Sequence, residues 1–320
     1  MGVGDVIDTL REHGGMVAAG VLRSSHPRAD LAAALAGNDV VRVGHGRYAL
    51  RSAVPDAQHA VRLSGVVAGL SAAHWWGWSL AQEPELPVVA VPRNRHIDPE
   101  RRCGVRLLHV DLRADQIVRG EAARATPWGP RLPDLARVTD KLTTAVYVAR
   151  TEPLTTSLAV LDSARRDGIT PDRLAAALTR EPNQWRKRAR TAIDASDPRA
   201  ANGFESLVRA IAKEVPGLRL VPQVTVLPGI TCDLVDEVLG IVVECDSWTY
   251  HAEKSAFARD MERYNALVLA DHLMLRIGRP LALSDPDQVR RHLADAVALR
   301  NGTESAEASR LAAARRHPGG

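Results

Sequence analysis

The sequence predicts a mixed α/β chain of the α+β kind, divided into several domains, and three observations carry that prediction. A length of 320 residues exceeds what one small core holds, so two or three domains are expected. At the N-terminus short helical patterns run into the hairpin pattern VVRVGHGRYAL, Val40 to Leu50. Toward the C-terminus a helical stripe precedes β-branched runs between Arg219 and Cys245, and helix and strand patterns then alternate to Arg300.

Composition narrows the class. Hydrophobic residues make up 45% and charged residues 25%, as in ordinary globular proteins. A net charge of +4 permits nucleic-acid binding without demanding it. Cys103, Cys232 and Cys245 fall in no metal-type spacing, and an odd count argues against a disulfide framework. No basic-then-apolar leader and no run of ~18 apolar residues is present, so a cytoplasmic chain with no membrane partner is expected.

Residues 1–52 read as a small helical unit. Val3, Val6, Ile7 and Leu10 recur at helical spacing, and Gly14-Gly15 stops that helix. Ala18 to Leu22 begins a second, and a third opens at Pro27 with Ser25 as a capping candidate. Three helices and a two-stranded wing form the winged helix-turn-helix pattern, whose third helix reads DNA. Arg28 at the entry of that helix and Arg42 and Arg47 on the wing are the phosphate-contact candidates.

Residues 53–180 form a mixed middle domain with little visible chemistry. The run His74-Trp75-Trp76-Gly77-Trp78 reads as core rather than as a base-stacking platform. Strands are expected at Pro87 to Val91 and Val105 to Val110, and helices at Leu135 to Ala149, Leu154 to Arg165 and Arg173 to Leu178. Residues 181–202 are polar and turn-rich and read as a linker.

The C-terminal domain spans 203–300, and 301–320 reads as a flexible tail. Phe204, Leu207, Val208 and Ile211 make a helix stripe with Glu205 in its first turn. Ile230 to Val235 and Gly240 to Cys245 make a hairpin about Val238-Leu239, which sets Asp233 beside Glu244. Period two points Glu244 and Asp246 the same way. Carboxylates held this close repel, and a divalent cation with oxygen preference resolves the conflict. His251 suits general acid–base work, because an unperturbed imidazole has its pKa near neutrality. A later helix carries Phe257, Met261, Tyr264, Leu267 and Val268 inward, with Asp260 and Arg263 either an intra-helix ion pair or a brace for the acids.

Glu205, Asp233, the segment ECDSWTYH ending in His251, and Asp260 and Arg263 in RDMER together resemble the PD-(D/E)xK nuclease superfamily. The nearer likeness is to its branch related to very short patch repair endonucleases. The resemblance covers about residues 203–300 and implies a restriction-endonuclease-like mixed sheet. It also implies Mg2+ (or Mn2+) held by Asp233 and Glu244, with Asp246, His251 and Glu205 as further catalytic groups. The superfamily's usual lysine is replaced here by Asp246, with Lys254 or His251 as its stand-in. The first 180 residues resemble the winged-helix region of AbiEi-type antitoxin-like proteins, on the Gly-Gly break and the wing.

The function these likenesses imply is DNA endonuclease or nickase. The alternative is an antitoxin-like, non-catalytic DNA-binding regulator that retains a degenerate nuclease fold. Expected partners are duplex DNA, a second copy of the chain and, under the alternative, a toxin-like protein.

Overall fold

A computed structural model of the chain describes residues 2–119, 133–246 and 254–302, without the side chains of 254–258. Helix α1 (Val3–Glu12) buries Val6 and Leu10 and stops at Gly14 and Gly15, whose φ of 71° and 90° suit glycine. Strand β1 (Met16–Ala18), helices α2 (Ala19–Ser25) and α3 (Arg28–Ala36), and the hairpin β2 (Val40–Gly44) and β3 (Arg47–Leu50) follow. The strands pair antiparallel in the order β1-β3-β2, completing the expected winged helix-turn-helix arrangement. One strand is added to the expected pattern, and one capping expectation fails. Met16–Ala18 is a strand because it pairs with the distant Arg47–Ala49, which no local pattern reports. Ser25 caps nothing, since Pro27 is the N-cap of α3 and supplies no side-chain bond.

The chain continues through α4 (Pro55–Arg62), β4 (Val66–Val67), α5 (Gly69–Trp75), β5 (Val88–Val91), α6 (Pro99–Arg102) and β6 (Arg106–His109). After β7 (Ile117–Arg119) come β8 (Arg137–Thr139) and α7 (Lys141–Thr151). A mixed sheet of order β6-β5-β4-β8-β7 results. Trp75 and Trp78 are buried, as a core reading requires. Gly65 is obligatory where the chain enters β4, because a Cβ there would lie 2.5 Å from Val89 Cγ1. Helix α7 begins later than expected, after Arg137–Thr139 has paired with β7 and after Asp140 Oδ1 accepts the amides of Leu142 and Thr143 at 2.9 and 3.1 Å.

One apolar core runs from Val6 in α1 to Val138 in β8, so the expected boundary near residue 52 divides no core. Helices α8 (Leu154–Arg166), α9 (Pro171–Leu178) and α10 (Asn183–Ala195) come next, and α10 occupies most of the stretch read as a linker. The chain forms two compact units, one of Met1–Thr151 with Thr170–Ala189, the other of Glu152–Ile169 with the described residues from Arg190 onward. This redraws the expected limits at 180 and 203, because Leu158 of α8 shares a core with Ala195 and Ala210.

In the second unit α11 (Gly203–Ala212) leads to β9 (Val221–Leu227), β10 (Ile230–Asp236) and β11 (Ile241–Asp246). Then come α12 (Lys254–Leu269), β12 (Leu273–Gly278), α13 (Arg279–Ser284) and α14 (Pro286–Arg300). The sheet order is β12-β11-β10-β9, with β12 parallel to β11 and the other pairs antiparallel. The element order matches expectation except for the added α13. Asp236 makes the hairpin turn by accepting the amides of Val238 and Leu239 at 3.1 and 3.0 Å. The inner stripe expected on α12 is narrower than its apolar spacing. Leu267 is buried against Cys232, Val235 and Val242, whereas Met261, Tyr264 and Val268 are exposed. No helix among the described residues is long and apolar enough to cross a membrane.

Candidate active site

Four elements of the second unit bring acids together. In the β10–β11 register Leu234 faces Val243, and one further step sets Asp233 against Glu244, as the hairpin reading requires. Asp233 Oδ2 accepts the amide of Cys245 at 2.8 Å, which ties it to β11. Burial raises the proton affinity of Glu244 and the Asp233 charge raises it further, against the opposing pull of Arg263.

Glu205 enters from α11. Asn202 caps that helix, its Oδ1 accepting the amides of Phe204 and Glu205 at 2.8 and 3.0 Å. Glu205 is only 2% exposed, and both its oxygens are engaged. Oε1 accepts Asn202 Nδ2 at 2.7 Å, and Oε2 accepts the Ala201 amide at 2.8 Å and Gln223 Nε2 at 3.1 Å. Such a group positions its neighbours and is not itself presented to a ligand or substrate.

Gln223 is the member that sequence reasoning missed. Its Nε2 also reaches Asp233 Oδ1 at 3.4 Å, so one amide spans the two acids. Its φ of 54° is left-handed, a conformation that costs a non-glycine residue on the order of 1–3 kcal/mol and persists where surroundings enforce it. The available signal was a proline beside a glutamine inside an alternating strand, since Pro222 marks β9 as a sheet edge.

The remaining acids each have an arginine. Arg263 Nη2 donates to Glu244 Oε1 and to the Thr231 carbonyl, both at 2.7 Å, while its Nη1 lies 4.0 Å from Asp260 Oδ1. Arg263 therefore braces Glu244 more closely than it pairs within its own helix. Arg276 forks Asp246 through Nε at 2.7 Å and Nη2 at 3.1 Å. Glu244, Asp246, Asp260, Arg263, Met274 and Arg276 line one cleft. His251 and the side chain of Lys254 lie outside the described residues. Burial pushes the Cys232 thiol up to about 11 and raises Cys245 as well, which leaves neither a thiolate near neutral pH.

In the first unit Arg28 and Arg42 are exposed. Arg47 is not displayed on the wing, since its Nη1 donates to the Val61 carbonyl at 3.0 Å and to Ser64 Oγ at 3.3 Å.

Asp233 and Glu244 supply hard oxygen donors on adjacent strands, and two carboxylates are what Mg2+ commonly takes from a protein. Among the described residues no group of three or more His, Cys, Asp or Glu is arranged to hold a metal ion. Asp233 and Glu244 are thus two carboxylates without a third His, Cys, Asp or Glu grouped with them among the described residues.

Burial raises the proton affinity of Glu205, and the Asp233 charge adds to it against the Ala201 and Gln223 hydrogen bonds. A carboxyl whose folded value lies above its unfolded one, about 4.3, binds more protons when folded, so stability falls as pH rises through that window. The melting temperature of Glu205→Gln relative to wild type is accordingly expected to be higher at pH 7 than at pH 4. A difference that is flat or reversed in thermal melts would contradict this assignment.

No family model matches the chain, and no curated protein matches it. Among solved structures it is similar to the RV2827C protein from Mycobacterium tuberculosis, at 17% identity, over 69% of this chain and 83% of that one, with a TM-score of 0.40. A likeness at that level carries no argument about function.

Proposed function

We propose that the second unit is the catalytic part of a Mg2+- or Mn2+-dependent DNA endonuclease or nickase, and that the winged helix docks on duplex DNA. The observation that supports this most is the convergence of Glu205, Gln223, Asp233 and Glu244 from α11, β9, β10 and β11. Asp233 and Glu244 are the proposed metal ligands. A divalent cation supplies polarisation of a phosphoryl oxygen and an acidified water. Gln223, fixed by Glu205, orients Asp233, and Arg263 orients Glu244. Arg276 and Arg263 put positive charge beside the carboxylates, which lessens their repulsion of a phosphodiester. His251 is the proposed proton acceptor for the attacking water.

The non-catalytic, antitoxin-like reading is favoured by one observation. Asp246 holds the position of the superfamily's lysine and is tied to Arg276. Calorimetry separates the two readings. Under the nuclease proposal Mg2+ or Mn2+ binds the wild-type protein at millimolar concentration or below, and binding is lost in Asp233→Asn/Glu244→Gln. Absence of binding to wild type favours the regulator with a toxin-like partner.

A further inference from the structure

Several arginines of this chain meet a carboxylate, as Arg150 meets Glu181, Arg209 meets Asp162 and Arg290 meets Glu214. At one place in the first unit four converge without an acid. Helix α4 ends with Ser64 left-handed at φ 48°, and the amides of Ser64 and Gly65 donate back to the carbonyls of Val61 and Ala60 at 3.1 and 2.8 Å. Arg137 Nη2 donates to the carbonyls of Ser64 and Gly65 at 2.7 and 3.1 Å, and Arg95 Nη1 reaches Ser64 at 3.4 Å. Arg47 comes in from β3 onto Val61, as described above. Arg119 lies directly opposite Arg137 in the β7–β8 register, a like-charge cross-strand pair that destabilises a sheet. No ion pair joins Arg47, Arg95, Arg119 or Arg137 to a carboxylate among the described residues.

Helix capping explains where three of these guanidiniums are anchored but not why so much charge is collected. The end of a helix carries about half a negative charge. Each guanidinium has five N–H donors and spends one or two here, so several remain for an external acceptor. Arg137 has its proton affinity lowered first by burial and then by the charges of Arg47, Arg119 and Arg95, which places it within electrostatic reach of each of the other three. The intervening residues 120–132 add one glutamate and two arginines to the sequence and so no net negative charge. An anion supplied from outside relieves this repulsion.

We propose that Arg47, Arg95, Arg119 and Arg137 form a phosphodiester-binding surface occupied by the backbone of duplex DNA. The surface starts on the same hairpin that exposes Arg42, so a duplex held at the wing has a second set of phosphate contacts beyond it. The choice of DNA rests on the proposed function, whereas the choice of a phosphate backbone does not.

The test is fluorescence anisotropy with a labelled 20-base-pair duplex in EDTA, across a series of KCl concentrations, so that no cleavage intervenes. Arg95→Gln/Arg119→Gln leaves Arg47 and Arg137 on their carbonyls. It is expected to weaken binding about tenfold at physiological salt and to make the log Kd against log salt slope shallower by about two. Exposed Arg119→Gln alone is the control for folding and should shift the slope by about one. An unchanged slope in either folded variant, with wild type binding the duplex, overturns the surface and leaves the DNA reading standing. Wild type that binds no duplex overturns both. Tighter binding to an RNA hairpin of equal length overturns the choice of duplex DNA.

Discussion

Asp162→Ala is expected to destabilise the second unit by about 3–5 kcal/mol, the range for breaking a buried ion pair from one side. Asp162 is wholly buried in α8. Its Oδ1 accepts the Asp197 amide at 2.7 Å, and its Oδ2 accepts Ser206 Oγ and Arg209 Nη1, both at 2.7 Å. Arg209 is 4% exposed, and its other nitrogen donates to the Ala195 carbonyl at 2.6 Å. Alanine therefore strands a buried guanidinium and a main-chain amide together. Burial nevertheless raises the proton affinity of Asp162 against the pull of Arg209, the Asp197 amide and Ser206, so the ion pair does not recover its full desolvation cost. It follows that Asp162→Leu/Arg209→Met should restore much of the loss. Thermal melts check this, with a fall on the order of 10 °C expected for the single variant. A double variant as unstable as the single one would show that the charges themselves carry the packing of α8 on α11.

Asp233→Asn is expected to lower cleavage by at least about a hundredfold, because metal charge at the phosphoryl group is worth several kcal/mol and each 1.36 kcal/mol is tenfold. The same change should leave stability level or improved. Asn keeps an acceptor for the Cys245 amide and removes a charge that raises both Glu205 and Glu244. Single-turnover cleavage of a defined duplex together with a melting curve checks both halves. Loss of activity through unfolding would place Asp233 among structural residues.

The opposition of Asp233 and Glu244 was legible because a hairpin is local, its turn signalled by Asp236 through Gly240 and its faces by the period of two. Element order in the second unit was legible for the same reason. What escaped was non-local. Gln223 owes its left-handed backbone and its two acid partners to residues on other elements. Arg263 shows Asp260 three residues away in the sequence, yet its tighter partner is Glu244 on a facing strand. Arg47 reads as a wing-tip cation and instead turns onto the end of α4. The grouping of α8 with α11 joins residues far apart in the chain, as in the buried Asp162–Arg209 pair 47 residues apart and the core of Leu158 with Ala210.

The central claim is that Asp233 and Glu244 form a metal-dependent phosphodiesterase centre, and supercoiled plasmid tests it most directly. Wild type with Mg2+ or Mn2+ should nick or linearise the plasmid, EDTA should stop the reaction, and Asp233→Asn/Glu244→Gln should leave it supercoiled. Equal loss of supercoiled DNA with wild type and with the paired variant would contradict the account.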